Sequence, residues 1–304
     1  MRTLCLMMGF LLGVVSALQA EPLRVCATTP DLGDLVRQVG GDEVSVTVFA
    51  KSSEDPHFID AKPGFITQLS RADLFVQTGL ELEVGWVPVL LQNARNARVL
   101  PGASGYLDAS SAIVPLEIPA GPVDRSMGDI HAGGNPHYLL DPEAGRAVAR
   151  LLAERLSQLR PASEPGFRER LAGFEQRLDE AAARWKEALG PHGGAKVVAD
   201  HNLWPYFAKR FGLTISAFLE PKPGLAPTTR HLAAVVEQMK AEHIQAVLAS
   251  PYFDARHSAF IVKQTGARIA LLAHQVGSRP DTGDYLAMID HNVKEVAAAL
   301  AATP

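Results

Sequence analysis

Residues 196–224 read KVVADHNLWPYFAKRFGLTISAFLEPKPG, and the order of residue types in this stretch decides the fold. The apolar run 196–199 predicts a buried strand, residues 203–211 predict a helix that ends at Gly212, and residues 214–219 predict a second strand. A strand, a helix and another strand in this order form a βαβ unit, in which the two strands lie parallel in one sheet.

The same order of elements occurs earlier in the chain, at residues 23–28, 31–39 and 44–50. In both copies a Lys-Pro-Gly sequence follows, at 62–64 and at 222–224. The other predicted elements are helix 65–70, strand 73–77, strand 114–116, helix 231–240, strand 244–249, strand 268–272 and helix 284–300. We therefore predict an α/β protein with two parallel-sheet lobes of similar build.

A long amphipathic segment separates the two copies. Its apolar residues recur in steps of three and four from Phe167 to Leu189, which predicts one buried helical face. About 25 residues at ~1.5 Å each span roughly 37 Å, enough to run the length of a lobe. We predict a rigid helix that joins the lobes; the alternative is a peripheral helix of the first lobe. The predicted organisation is an N-terminal lobe at 21–163, a linker helix at 164–190 and a C-terminal lobe at 191–304.

The first 20 residues have the pattern of a cleaved secretory signal peptide. Arg2 precedes an apolar stretch, residues 4–17, and cleavage fits after either Ala17 or Ala20. The stretch is shorter than the ~20 residues of a membrane-spanning helix. We therefore expect an exported, soluble protein, in which Cys26 is left as a lone, buried strand residue.

Composition and motifs exclude several function classes. A net charge of -4 and an isoelectric point near 6.2 argue against nucleic-acid binding, which needs a basic surplus. The sequence contains no phosphate-binding glycine loop, no His-Glu-x-x-His helix and no Gly-x-Ser-x-Gly elbow. Nothing in the sequence therefore points to an enzyme.

Four of the ten histidines occupy positions where ligands collect in parallel α/β sheets. His57, His201 and His274 follow predicted strands, and His137 precedes a helix that begins near residue 142. Ligands bind beyond the carboxyl ends of such strands, and two histidines come from each lobe, so a cleft between the lobes can hold all four. Imidazole is a good ligand for zinc, which prefers four ligands in a tetrahedron. His131 is either a mobile accessory ligand at the cleft mouth or a surface residue.

Three short motifs surround the candidate ligands: Asp55-Pro56-His57, Gly134-Asn135-Pro136-His137 followed by Leu140-Asp141-Pro142, and Asp200-His201-Asn202-Leu203-Trp204-Pro205. Together they resemble the zinc and manganese solute-binding proteins of ABC importers, the ZnuA-like cluster A-I family. The resemblance runs from about residue 23 to the end. It implies two α/β lobes joined by a rigid long helix, with the metal site in the cleft. It also implies a periplasmic carrier that hands its ion to a permease in the inner membrane.

Three residues match the family's ligand positions in order: His57, His137 and His201. Histidine at the third position, which is often glutamate in manganese members, favours Zn²⁺ over Mn²⁺. The fourth position differs, because the family commonly has aspartate where this chain has His274. Either His274 replaces that carboxylate, or an acid such as Asp254 or Glu220 serves instead.

We therefore predict high-affinity capture of Zn²⁺ by His57, His137, His201 and His274, and delivery to an ABC permease. Four protein ligands close the coordination sphere, whereas a catalytic zinc keeps an open position, so no enzyme is expected. A periplasmic metallochaperone is a further candidate partner, and a monomer with no nucleic-acid partner is expected. Two alternatives stay open: an exported zinc-dependent hydrolase and a metal-carrying adhesin.

Overall fold

The computed structural model describes residues 21–124 and 127–301, so the predicted signal peptide lies outside the described residues. The first sheet contains β1 (Leu23–Ala27), β2 (Val44–Val48), β3 (Leu74–Gln77) and β4 (Tyr106–Asp108). The second contains β5 (Lys196–Ala199), β6 (Thr214–Phe218), β7 (Ala246–Ala249) and β8 (Arg268–Leu271). The helices are α1 (Pro30–Gly40), α2 (Pro63–Leu69), α3 (Val87–Ala94), α4 (Pro142–Leu159), α5 (Glu164–Leu189), α6 (Pro205–Phe211), α7 (Thr229–Ala241), α8 (Ala255–Thr265) and α9 (Tyr285–Leu300).

The two sheets share one topology. Their strand orders are β2-β1-β3-β4 and β6-β5-β7-β8, and every neighbouring pair is parallel. In each sheet the strand that comes first in the sequence, β1 or β5, lies between the second and the third. The order in which strands are added to the sheet therefore changes direction at this strand. Loops at such a switch point leave a crevice in which ligands bind. The predicted fold class, two parallel α/β lobes, is confirmed.

The strand predicted at residues 114–116 is wrong, and β4 is the fourth strand of the first sheet. Pro115 in that apolar run cannot donate a ladder hydrogen bond, which disfavours a strand there. Val114 is 85% exposed, and the backbone N–H of Leu116 donates to the hydroxyl of Tyr206 at 2.8 Å. The run is therefore a loop that contacts the other lobe.

Helix α5 packs against helices from both lobes. It is 26 residues long and buries one face that includes Phe167, Phe174 and Trp185. That face contacts α1 and α4 of the first lobe and α9 of the second. One hydrophobic core runs through these helices and reaches strands of both sheets. These contacts support our proposal that residues 164–190 are a linker between lobes at 21–163 and 191–304.

Two buried aspartates of α1 tie the first lobe to the second. Asp31 accepts a hydrogen bond from the backbone N–H of Val276 at 2.6 Å, and Asp34 accepts one from that of Tyr285 at 2.9 Å. Burial raises the pKa of Asp31 to about 7, and the charge of Asp34 adds to the increase. The Asp31 carboxyl is therefore protonated in the folded state at a pH at which the unfolded chain has lost that proton.

We expect Asp31→Asn to gain stability relative to the parent protein as the pH rises. Because the folded pKa exceeds the ordinary value of about 3.9, the parent loses stability between about pH 4 and pH 7. The asparagine keeps an oxygen for Val276 and does not ionise. Urea unfolding at pH 5 and pH 8 should show a relative gain of about 2 kcal/mol. The exposed Asp42→Asn is the control, and an equal stability difference at both pH values would contradict the expectation.

Candidate metal centre

Three of the four predicted ligands lie together between the lobes. The ring centroids of His57 and His137 are 5.3 Å apart, those of His137 and His201 5.9 Å, and those of His57 and His201 6.2 Å. His57 follows β2, His201 follows β5, and His137 precedes the turn that leads into α4. The side chains of His57 and His201 are only 7% and 8% exposed. The parallel-sheet topology thus brings His57 and His201, which are 144 positions apart in the sequence, to one place.

The Asp-Pro-His and Asn-Pro-His motifs have a common local geometry. The Oδ1 atom of Asp55 accepts from the backbone N–H of His57 at 3.0 Å and lies 2.7 Å from its Nδ1. The Oδ1 atom of Asn135 makes the same two contacts with His137, at 3.0 and 2.9 Å. Asp and Asn side chains commonly bond the backbone two residues on, and the intervening proline restricts φ. Each motif therefore fixes a histidine ring by its Nδ1 atom.

His201 is held in the same way by a residue from another loop. Its Nδ1 lies 2.6 Å from the Oε2 atom of Glu220, which also accepts from the backbone N–H of Gly224 at 2.8 Å. Burial opposes a charge on His201, but the hydrogen bond and charge of Glu220 outweigh it and raise the pKa of the ring. In all three histidines an oxygen therefore occupies Nδ1 and leaves Nε2 for another partner, an arrangement typical of metal-ligating histidines.

The Nε2 atom of His137 is buried and finds no hydrogen-bond partner among the described residues. Burial, followed by the proximity of His57 and His201, lowers the pKa of His137 well below its ordinary value. The ring is therefore neutral, which is the form that binds a metal. A buried polar atom without a partner is uncommon in proteins and calls for an explanation, which a bound cation provides.

His274 lies beside this cluster, in a different environment. Its Nε2 is 3.3 Å from the carbonyl oxygen of Glu54, and its ring meets that of Tyr252 edge to face at 4.8 Å. Its Nδ1 is buried without a partner in the described part of the chain. His274 and His137 both line a cavity of about 30 Å³. The structure thus places His274 next to His137, with Nδ1 rather than Nε2 free to bind an ion.

His131 lies closer to the cluster than the sequence indicated. Its ring stacks on that of His57 at 5.3 Å, and the two Nε2 atoms are 3.3 Å apart. Two nitrogens that share a tetrahedral zinc at ~2.0–2.1 Å are separated by about 3.3 Å. Burial lowers the pKa of His131 to about 4, so this ring is also neutral near pH 7. The two Nε2 atoms are within hydrogen-bond distance, and their separation also equals the spacing of two ligands on one ion.

The acidic residues considered as metal ligands lie in different surroundings. Glu220 stands behind the ring of His201, whereas Asp254 caps α8 and pairs with the guanidinium of Arg256 at 2.5 Å. Asp200 accepts from both the backbone N–H and the hydroxyl of Ser250, and so holds β5 to the end of β7. Across residues 21–124 and 127–301, no group of three or more His, Cys, Asp or Glu side chains is arranged to hold a metal ion. The rings must therefore move together when an ion binds.

A cavity of about 350 Å³ opens in front of the histidine cluster. Its wall contains Met127, His131 and His137 from the first lobe, and His201 and Pro223 from the second. The candidate centre is therefore reached from a cleft that both lobes line.

Comparisons with known proteins agree on the family. The family model described as ZnuA, zinc-uptake complex component A, periplasmic, matches residues 25–299. The metal ABC transporter substrate-binding lipoprotein ScbA of Streptococcus cristatus is 23% identical over 289 residues, which are 92% of this chain and 90% of that protein. The manganese ABC transporter substrate-binding lipoprotein PsaA of Streptococcus pneumoniae is 22% identical over 297 residues, which are 95% and 92%.

A solved structure supports the same assignment. The zinc-bound 138-173 deletion mutant of ZnuA superposes with a TM-score of 0.77 at 25% identity, covering 93% of this chain and all of that chain. Proteins named for manganese and for zinc are thus both similar to this chain, and ScbA and PsaA are named as substrate-binding lipoproteins of ABC transporters. None of the described helices is long and apolar enough to cross a membrane. The chain belongs to the ZnuA family and is a metal-binding, substrate-binding protein of an ABC transporter.

Proposed function

We propose that this protein captures Zn²⁺ with high affinity in the periplasm and delivers it to an ABC permease in the inner membrane. One observation carries the proposal. Three histidines, His57, His137 and His201, lie within 6.2 Å of one another by ring centroid, and each has its Nδ1 occupied by an oxygen. The remaining Nε2 atoms make a nitrogen donor set in a cleft between two lobes.

The nature of the donors favours zinc over manganese. Zinc binds imidazole nitrogen well, whereas manganese is better served by carboxylate and carbonyl oxygens. The carboxylates of Asp55 and Glu220 each contact a histidine Nδ1 atom, at 2.7 and 2.6 Å, and are therefore engaged away from the Nε2 atoms. They still supply negative charge that offsets the charge of the cation and orient the rings that bind it.

The donor set also argues against the hydrolase alternative. A metal-dependent hydrolase needs a base that is free to take a proton from bound water. Asp200 accepts hydrogen bonds from Ser250 and His201, and Glu220 accepts from Gly224 and holds His201. Both carboxylates thus have structural roles. A metal-carrying adhesin would have no need to release its ion, so transfer to a permease distinguishes that alternative.

Titration of the chelator-stripped protein with Zn²⁺ and, separately, with Mn²⁺ tests the proposal. We expect one Zn²⁺ per chain with a Kd below about 1 μM, and Mn²⁺ binding that is weaker by about 100-fold or more because nitrogen donors suit it poorly. The histidine variant His192→Ala, which changes a residue outside the cleft, should bind as the parent does. Equal or tighter binding of Mn²⁺ would contradict the zinc assignment, and failure to bind any of these ions would contradict the capture function.

A further inference from the structure

We propose that residues 127–131 form a latch that closes the cleft from the first lobe onto the second and presents His131 to the ion as its fourth ligand. This inference rests on the proposed capture of zinc at His57, His137 and His201. It assigns a role to a segment that lies outside the strands and the α-helices. It also predicts that docking of the latch controls how long the ion stays bound.

The tip of the latch contacts the second lobe through its backbone. The N–H of Asp129 donates to the carbonyl oxygen of Pro223 at 2.9 Å. Gly128 has φ of +82°, and a Cβ atom there would lie 2.2 Å from the same oxygen. Gly224 has φ of +78°, and a Cβ atom there would lie 2.0 Å from the Asp129 carboxylate. A Cβ atom at Gly128 would meet backbone and one at Gly224 would meet the Asp129 side chain, and both positions have the positive φ that favours glycine.

The base of the latch is held by the first lobe. The backbone N–H of Ala132 donates to the carboxylate of Glu81 at 2.9 Å, and that of Asn135 donates to the carbonyl oxygen of Leu116 at 2.8 Å. Leu80 and Glu81 both adopt left-handed conformations, with φ of 51° and 66°. Such conformations in residues other than glycine persist where the surrounding structure enforces them. The segment therefore bridges the lobes, with a base in one and a tip on the other.

His131 lies at the end of this bridge, over the histidine cluster. Its Nε2 is 3.3 Å from that of His57, the spacing of two nitrogens on one tetrahedral zinc. Met127 and Ile130 of the latch line the 350 Å³ cavity together with His137 and His201. His274, the other candidate, has its Nε2 against the Glu54 carbonyl oxygen and only its Nδ1 free, whereas His131 already places its Nε2 beside that of His57. The geometry therefore favours His131 as the fourth donor.

Coupling between the latch and the ion follows from this arrangement. When His131 binds the ion, the latch must remain docked, because the residues that contact Pro223 lie only two and three positions before it. When the latch undocks, the ion loses one ligand and the cleft opens at the same step. Binding of the ion and closure of the latch therefore stabilise each other.

The rate of zinc dissociation tests the latch. Gly128→Ala should raise it by about 10–100-fold, the range found when a supporting residue of a metal site is removed, and His131→Ala should raise it at least as much. The double variant should dissociate no faster than His131→Ala, because both changes remove the same interaction. Gly102→Ala is the matched control: φ there is +88°, and no described atom lies within 4 Å of the added Cβ. Its dissociation rate should equal that of the parent.

The results separate the latch from the capture function. If the parent binds one zinc and both Gly128→Ala and His131→Ala release it at the parent rate, the latch is wrong while capture stands. If the parent binds no zinc, both proposals are wrong. If Gly128→Ala does not fold, hydrogen exchange of the Asp129 amide in the parent protein tests whether zinc binding stabilises the docked latch. Zinc loading must slow that exchange, and unchanged exchange would overturn the coupling.

Discussion

Replacing His137 by alanine is expected to weaken zinc binding by more than about 100-fold, beyond the ~10–100-fold effect of residues that only support a ligand. Its Nε2 is buried, neutral and without a partner among the described residues, so it is held ready for a cation. Its Nδ1 is fixed by Asn135, and the ring cannot exchange one nitrogen for the other without losing that bond. Competition with a chelator of known affinity measures the loss.

The control for His137→Ala must show that the cleft still forms. Thermal unfolding of the metal-free variant should match that of the metal-free parent, because the lost ring leaves a space beside a cavity and removes no backbone bond. His192→Ala should retain full affinity, since His192 lies in the turn after α5 and away from the cleft. Near-parent zinc affinity in a folded His137→Ala protein would show that His137 is not a ligand.

Replacing Trp185 by alanine is expected to lower the free energy of unfolding by about 3–5 kcal/mol, the usual cost of removing a large buried aromatic side chain. Trp185 is 1% exposed and lies on the buried face of α5. Its Nε1 donates to the carboxylate of Asp290 in α9 at 3.3 Å, so the change also removes a bond between the linker helix and the second lobe. Urea unfolding measures the loss.

Arg184→Ala is the matched control for Trp185→Ala. It changes the neighbouring, exposed position of the same helix and keeps a good helix former there. We expect a change within about 0.5 kcal/mol for this variant. A loss below about 1 kcal/mol for Trp185→Ala would mean that α5 contributes little to holding the two lobes together.

The fold could be predicted because its repeat is local in the sequence. Strands β1 and β5 are short apolar runs, and α1 and α6 end at or before glycines. The spacing of apolar residues and the positions of these glycines together indicate βαβ units. Strand β4 could not be found this way, because three residues are too few to show alternation. The apolar character of residues 114–116 suggests a strand, but Pro115 disfavours strand pairing and the backbone of Leu116 bonds to Tyr206 instead.

The cluster of three histidines was also predictable, because each lies beside a strand end or in a motif whose side chains orient it. The position of His131 was not, since it depends on a hydrogen bond between Asp129 and Pro223, which lie far apart in the sequence. The orientation of His274 likewise depends on the carbonyl oxygen of Glu54 in the other lobe. His274 as the fourth ligand therefore stays a prediction, and His131 is the alternative that the geometry favours.

Anomalous diffraction at the zinc edge from crystals of the zinc-loaded protein locates the ion. We expect one zinc in the cleft, bound by the Nε2 atoms of His57, His137 and His201, with His131 completing a tetrahedron at ~2.0–2.1 Å. If His274 rather than His131 is the fourth ligand, the capture proposal stands and the latch proposal is contradicted. A zinc that lies away from His57, His137 and His201 would contradict the metal centre itself.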